Sequence, residues 1–105
     1  MEEREFNLLA DRMLGRVEDA IEGCGADVDL EVKPGGVLEL EFDDGSKIII
    51  NRHSAAREIW VAARSGGYHF RPEGDHWVGT RDGEELMTAI ARCMSEQSGR
   101  PVSLA

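Results

Sequence analysis

Residues 27–50 read DVDLEVKPGGVLELEFDDGSKIII, and the period of this stretch decides the fold. In Asp27-Val28-Asp29-Leu30-Glu31-Val32, acid and aliphatic side chains alternate strictly. Successive side chains of a strand point to opposite faces, so the segment predicts a strand with Val28, Leu30 and Val32 inward and three carboxylates outward. Pro34-Gly35-Gly36 turns the chain, and Leu38-Glu39-Leu40-Glu41-Phe42 repeats the alternation as the hairpin partner. Asp43-Asp44-Gly45 is a second tight turn, leading into Lys47-Ile48-Ile49-Ile50-Asn51.

Outward from this hairpin, Glu58 to Ala62, Tyr68 to Phe70 and His76 to Val78 read as three more short strands. Gly66-Gly67 and the stretch from Pro72 to Gly74 serve as their turns. Upstream, residues 4–22 carry Phe6, Leu9, Ala10, Met13, Val17 and Ala20 at the spacing of one helix face. Gly23 and Gly25 then stop the helix. Downstream the period becomes helical again from Asp82, with Leu86, Ala89, Ile90, Cys93 and Met94 on the apolar face and Glu84 and Glu85 in the first turn. Val102 and Leu104 of the tail are placed to pack between the helices. Helix, about six strands joined by short turns, then helix predicts a two-layer α+β sandwich: an antiparallel sheet with both helices on one face. The expectation is one domain over residues 1–105, a length that suits a single modest core.

Charge narrows the partners. Residues 1–44 hold fourteen Asp/Glu against four Lys/Arg, while residues 45–105 hold seven against eight. The whole net charge of −9 therefore comes from the first two-fifths of the chain. Such a field repels nucleic acid and anionic membranes and attracts cations and basic protein surfaces. No apolar run approaches the ~20 residues that span a bilayer, and the opening Met-Glu-Glu-Arg-Glu-Phe has no signal-peptide character. Cys24 and Cys93 are far apart and form no CxxC pair, so free thiols and a cytoplasmic location are expected.

Two constellations stand out. At ~100° per residue, Asp11, Glu18 and Glu22 fall on one stripe of the first helix, with Asp19 further round. If the first strand lies at the sheet edge beside that helix, Asp27, Asp29 and Glu31 extend the stripe into a ridge. Carboxylates are hard oxygen donors for iron, manganese, magnesium or calcium. Nothing resembles a closed cage, so this chemistry supports weak, multi-site cation binding; the same pattern also suits a solvated face with no ligand. The second constellation is Trp60. With Ile59 and Val61 inward, it points to the solvated face, near Asn51 and Arg52, as an interface anchor or as a ring shielded by its neighbours. His69 and His76 read as surface residues on adjacent strands. No nucleophile–base–orienter set, phosphate loop or nucleotide fingerprint is present, and the expectation is of a chain without the Glu-x-x-His of bundle ferroxidase centres, so catalysis is not expected.

Asp44-Gly45-Ser46-Lys47-Ile48-Ile49-Ile50-Asn51-Arg52, then Ile59-Trp60-Val61-Ala62, then Gly66-Gly67-Tyr68-His69-Phe70, then Trp77 resemble the central block of the frataxin family, in its bacterial branch. Glu5-Phe6 with Leu9-Ala10-Asp11 is similar to the opening of that branch, and the resemblance covers nearly the whole chain. It implies the frataxin-like sandwich and ferrous or ferric iron bound weakly on Asp11, Glu18, Asp19, Glu22, Asp27, Asp29 and Glu31, with other divalent cations admitted. It also implies docking on the cysteine desulfurase and on the iron–sulfur scaffold protein. Asn51 and Trp60 match the family's exposed sheet-surface positions; read with Arg52 beside them they form a second contact surface, and Glu18, Asp19 and Glu22 are the acids expected to dock. The function it implies is regulation of iron–sulfur cluster assembly, as an iron-dependent brake, with an iron donor or acidic metal buffer as the alternative. The expected state is a monomer, iron-driven oligomers being left open. Cys24-Gly25-Ala26 departs from the pattern, carrying no carboxylate where some bacterial relatives continue the acidic run.

Overall fold

The structure, a computed structural model, describes residues 1–104. Helix α1 (Glu3–Gly23) leads into strands β1 (Asp29–Lys33), β2 (Val37–Glu41), β3 (Lys47–His53), β4 (Glu58–Ala63), β5 (Gly66–Glu73) and β6 (His76–Gly79), and helix α2 (Leu86–Ser98) closes the chain. The strands form one antiparallel sheet in the order β1-β2-β3-β4-β5-β6, so every neighbour in the sheet is a neighbour in sequence. Both helices cover one face. Leu38, Leu40, Ile48, Ile50, Ile59, Val61, Phe70 and Trp77 from the sheet meet Phe6, Ala10, Met13, Leu14, Val17 and Ile21 of α1 and Leu86, Ala89, Ile90, Cys93 and Met94 of α2. Each such aliphatic side chain contributes roughly 1.5–3 kcal/mol on burial.

The structure corrects several expectations. The buried stripe of α1 includes Leu14 and Ile21, whereas Leu9 and Ala20 are only half-buried. These positions lie along one stripe inclined to the axis, which is how a helix crosses a twisted sheet. Val32 is 57% exposed instead of inward-packed, because β1 is the edge strand and its far end lies beyond the helical roof. Helix α2 begins at Leu86, so Glu84 and Glu85 lie before it rather than in its first turn. There the chain makes a tight loop back onto β6. The Gly79 N–H donates to the Glu84 carbonyl at 2.7 Å, Val78 and Glu85 form a bridge, and Gly83 takes φ 77°. Val102 and Leu104 do pack against the core, as the tail reading expected.

One polar residue sits inside the core. Gln97 is 6% exposed, and its amide is fully used: Oε1 accepts from the Arg64 N–H at 3.0 Å, while Nε2 donates to Ser46 Oγ and the Lys47 carbonyl. It ties the end of α2 to the start of β3 and the end of β4. Both cysteines are free. Burial pushes the Cys93 thiol up from its ordinary value, with neighbouring Arg92 acting in the opposite sense. Cys24 is half-exposed and caps α1, its Sγ donating to the Ile21 carbonyl at 3.1 Å. A thiolate is the reactive species, so iodoacetamide at neutral pH is expected to label Cys24 alone in the folded chain and both thiols in denaturant, as read by intact-mass spectrometry.

Candidate functional site

The acids of α1 do not share one environment. Asp11 forms an ion pair with Arg52, which rises from β3 on the helix-covered side of the sheet. Glu18 is half-buried and Glu22 is exposed on the same stripe. Asp19 turns the other way and lines the groove between the helices, with Arg16, Asp75, His76 and Glu85. Asp27 lines a separate groove at the link from α1 to β1, beside Asp43, Asp44, Arg64 and Arg100. In that groove Arg64 reaches Asp44 at 3.1 Å; hydrogen bonds from Ser46, then Arg64, hold the Asp44 carboxyl below its usual range.

The acids of β1 follow the strand's parity. Leu30 packs against the core, so Asp29 and Glu31 point to the opposite, solvated face, away from α1. In register, Asp29 stands opposite Glu41 and Glu31 opposite Glu39. Like charges directly across an antiparallel pair are unfavourable unless something neutralises them. Two lysines do so at Glu39: Lys33 at 2.7 Å and Lys47 at 3.4 Å. The Lys33 hydrogen bond is the main reason that the Glu39 carboxyl lies below its ordinary value and the Lys33 amine above its own. The Asp29–Glu41 pair has no such clamp of its own, although Lys47 faces Glu41 from β3.

The carboxylates therefore form two sets on opposite sides of an edge strand, not one continuous ridge. Among the described residues, no group of three or more His, Cys, Asp or Glu side chains converges to hold a metal ion. The donor set is chemically suited to iron, and its geometry is open. Glu39 and Glu41 are outward positions of β2 by alternation, and the register adds that they are the cross-strand partners of the β1 acids. Contrary to the expectation of no Glu-x-x-His, Glu73 and His76 have that spacing, but they lie opposite each other across the turn between β5 and β6 rather than on one helix face.

The solvated face carries the second constellation, and here too the structure revises the reading. Asn51 and Trp60 are cross-strand partners, as expected, and His69 continues the row on β5. Arg52 is not beside Trp60; it is paired with Ile59 in register and faces α1. Nor is the indole an open face. His53 stacks on one side, centroids 3.8 Å apart and planes 13° from parallel, and His69 stacks on the other at 4.3 Å and 7°. The Trp60 Nε1–H donates to Glu58 Oε1 at 2.7 Å, and His69 Nδ1 stands 3.4 Å from the same oxygen. Each aromatic stack contributes roughly 0.5–1.5 kcal/mol beyond area burial. Arg57, in the left-handed conformation at φ 56°, closes the short 3-10 turn Ser54–Ala56 that returns Glu58 opposite His53. His69 and His76 do not approach one another: His76 lies by Glu85 at 3.3 Å.

Residues 1–100 match the family model of the frataxin-like domain. The chain is 55% identical over 104 residues to the iron–sulfur cluster assembly protein CyaY of Dechloromonas aromatica, covering 99% of each. Its fold is similar to the frataxin of Psychromonas ingrahamii, with a TM-score of 0.90 at 33% identity, covering 100% of this chain and 99% of that one. It is also similar to the trimeric frataxin of the yeast Saccharomyces cerevisiae complexed with ferrous iron, with a TM-score of 0.65 at 25% identity over 95% and 88% of the two chains. Two helices on one face of a six-stranded meander, acids gathered on the first helix and edge strand, and a family match over nearly every residue lead to one conclusion: the chain belongs to the frataxin family.

Proposed function

We propose that this chain works in iron–sulfur cluster assembly, as a non-catalytic, iron-responsive regulator that docks on the cysteine desulfurase and slows sulfur supply to the scaffold. The observation that carries the reading is full-length identity of 55% to a protein named for that process. The open acidic surface supports it: exposed carboxylates without a cage suit a sensor that loads and unloads iron in the cytoplasm better than a carrier that retains it.

Glu18, Asp19 and Glu22 are the docking acids in this reading, facing a basic patch on the desulfurase, while Asn51 and Trp60 contact the scaffold-bound complex. The test is the rate of cluster formation by purified desulfurase and scaffold, with and without this protein, at low and high ferrous iron. The expected result is a slowing that deepens as iron rises. An effect of the opposite sign would make the protein an accelerator. No effect at any iron level would favour an acidic metal buffer or iron donor instead.

A further inference from the structure

Every stripe of acids on this molecule belongs to the iron and docking surfaces already discussed, but the cluster around Trp60 holds three residues that those surfaces do not explain: His53, Glu58 and His69. The two imidazoles cover both faces of the indole, and Glu58 takes its only N–H. Trp60 itself stays only half-buried. His53 Nδ1 is the one buried side-chain polar atom without a hydrogen-bond partner among the described residues.

We propose that His53, Glu58 and His69 are positioning residues that hold Trp60 edge-on as a ready-made docking anchor, and that protons on the two imidazoles set how firmly it is held. The proposal rests on the reading that the Trp60 face docks on the assembly complex. A tryptophan free on a sheet surface must give up rotamer freedom when a partner seats on it; one already clamped between two rings does not, and the saving appears as affinity.

Proton sensitivity follows from the identity of the clamps, since histidine is the side chain that ordinarily changes charge between pH 5 and 8. A proton on His69 turns its contact with Glu58 into an ion pair and lays a cation on the indole face, so that side of the stack closes. A proton on His53 leaves a buried N–H with no acceptor, so that side opens. The charged groups around the stack are few. Glu58 of β4 faces both imidazoles. Arg71 lies two residues along β5 and is paired with Glu73, while Arg81, Asp82 and Glu84 share a small groove with His69. On the His53 side, Arg52 is engaged by Asp11, and Arg57 by the Met1 and Ser54 carbonyls.

The test has two parts. In the isolated full-length chain, the indole N–H resonance of Trp60, identified by its loss in Trp60→Phe, is followed by 1H–15N NMR from pH 8 to pH 5. The wild-type resonance is expected to be displaced by the flanking rings and to move with pH. His53→Gln and His69→Gln should each remove part of the displacement. The double variant should leave a resonance free of ring-current displacement and without the imidazole-dependent movement with pH, at the position set by the Glu58 hydrogen bond alone. An unmoved resonance in the double variant would overturn the clamp, and a pH-independent wild type would overturn proton control. In the cluster-formation assay, loss of two stacking contacts should raise the concentration needed for half the effect by about tenfold, and Trp60→Ala should abolish it. Full potency in the double variant beside an inert Trp60→Ala would sink the positioning role alone. Full potency in Trp60→Ala would sink the docking reading itself.

Discussion

Phe6→Ala is expected to lower the free energy of unfolding by about 3–5 kcal/mol, a large share of the roughly 5–15 kcal/mol that a small domain usually possesses. Phe6 is completely buried in the first turns of α1 and meets Trp77 edge-to-face, with ring centroids 5.8 Å apart and planes at 69°. That contact pins the start of the chain to β6, the last strand of the sheet, so it closes the sandwich between its sequence extremes. Truncation removes a ring from a site walled by sheet and helix, where neighbours have little freedom to collapse into the void. The check is urea unfolding: the midpoint should fall with the slope unchanged. Leu8→Ala, two residues along on the exposed side, is the control and should stay within ~0.5 kcal/mol, since Leu8 is already 61% exposed. A Phe6→Ala loss of under ~1 kcal/mol would mean that α1 is held mainly by its later turns.

Much of this architecture is legible in the chain because the signals are local. Alternation over residues 27–42 sets both the strand period and the register of the first hairpin, and short turns between all six strands leave a meander as the simplest sheet. Element edges are less legible because they answer to tertiary contacts. Residues 82–85 have a helix-like pattern, yet they bend back because the Gly79 N–H needs the Glu84 carbonyl and Glu84 itself is gripped by Arg92 at 2.9 Å. The bidentate pair with Glu84, followed by Tyr68, raises the guanidinium of Arg92 above its ordinary value, and Arg92 also lies over the Tyr68 ring at 5.1 Å. Arg92 and Tyr68 lie eight and sixteen residues from Glu84 in sequence.

At the site, parity decides what was readable. Ile48 and Ile50 point inward, so Arg52, two residues on, points inward as well; counting along β3 separates it from Asn51 and Trp60. The same rule sends Asp29 and Glu31 away from α1, so an edge strand beside the helix does not by itself join their acids into one ridge. The row Asn51–Trp60–His69 follows from register once the turns are placed, but the stack does not. It depends on side-chain rotamers and on His53 reaching diagonally to a ring two residues beyond its own partner Glu58.

Reversal of Glu18, Asp19 and Glu22 to Lys is expected to weaken association with the desulfurase by more than ~100-fold while leaving the unfolding midpoint nearly unchanged, because like-charge contacts at an interface cost several kcal/mol. Glu22 and Asp19 are exposed and Glu18 is half-buried, and none of the three enters an ion pair among the described residues, so the fold loses no partner with them. Affinity measured at rising salt separates the causes: wild-type binding should weaken as screening shortens from ~10 Å at 0.1 M, and the residual binding of the variant should not. The geometry divides the three residues further. Asp19 lies in the groove between the helices beside Arg16, whereas Glu18 and Glu22 stand on the outer stripe with Asp11. Asp19→Lys alone should therefore cost least, and Glu18→Lys with Glu22→Lys should account for most of the loss. Unchanged affinity in the triple variant would remove this face of α1 as the docking surface and leave the acids of β1, on the other side of the edge strand, as the place for a basic partner to seat.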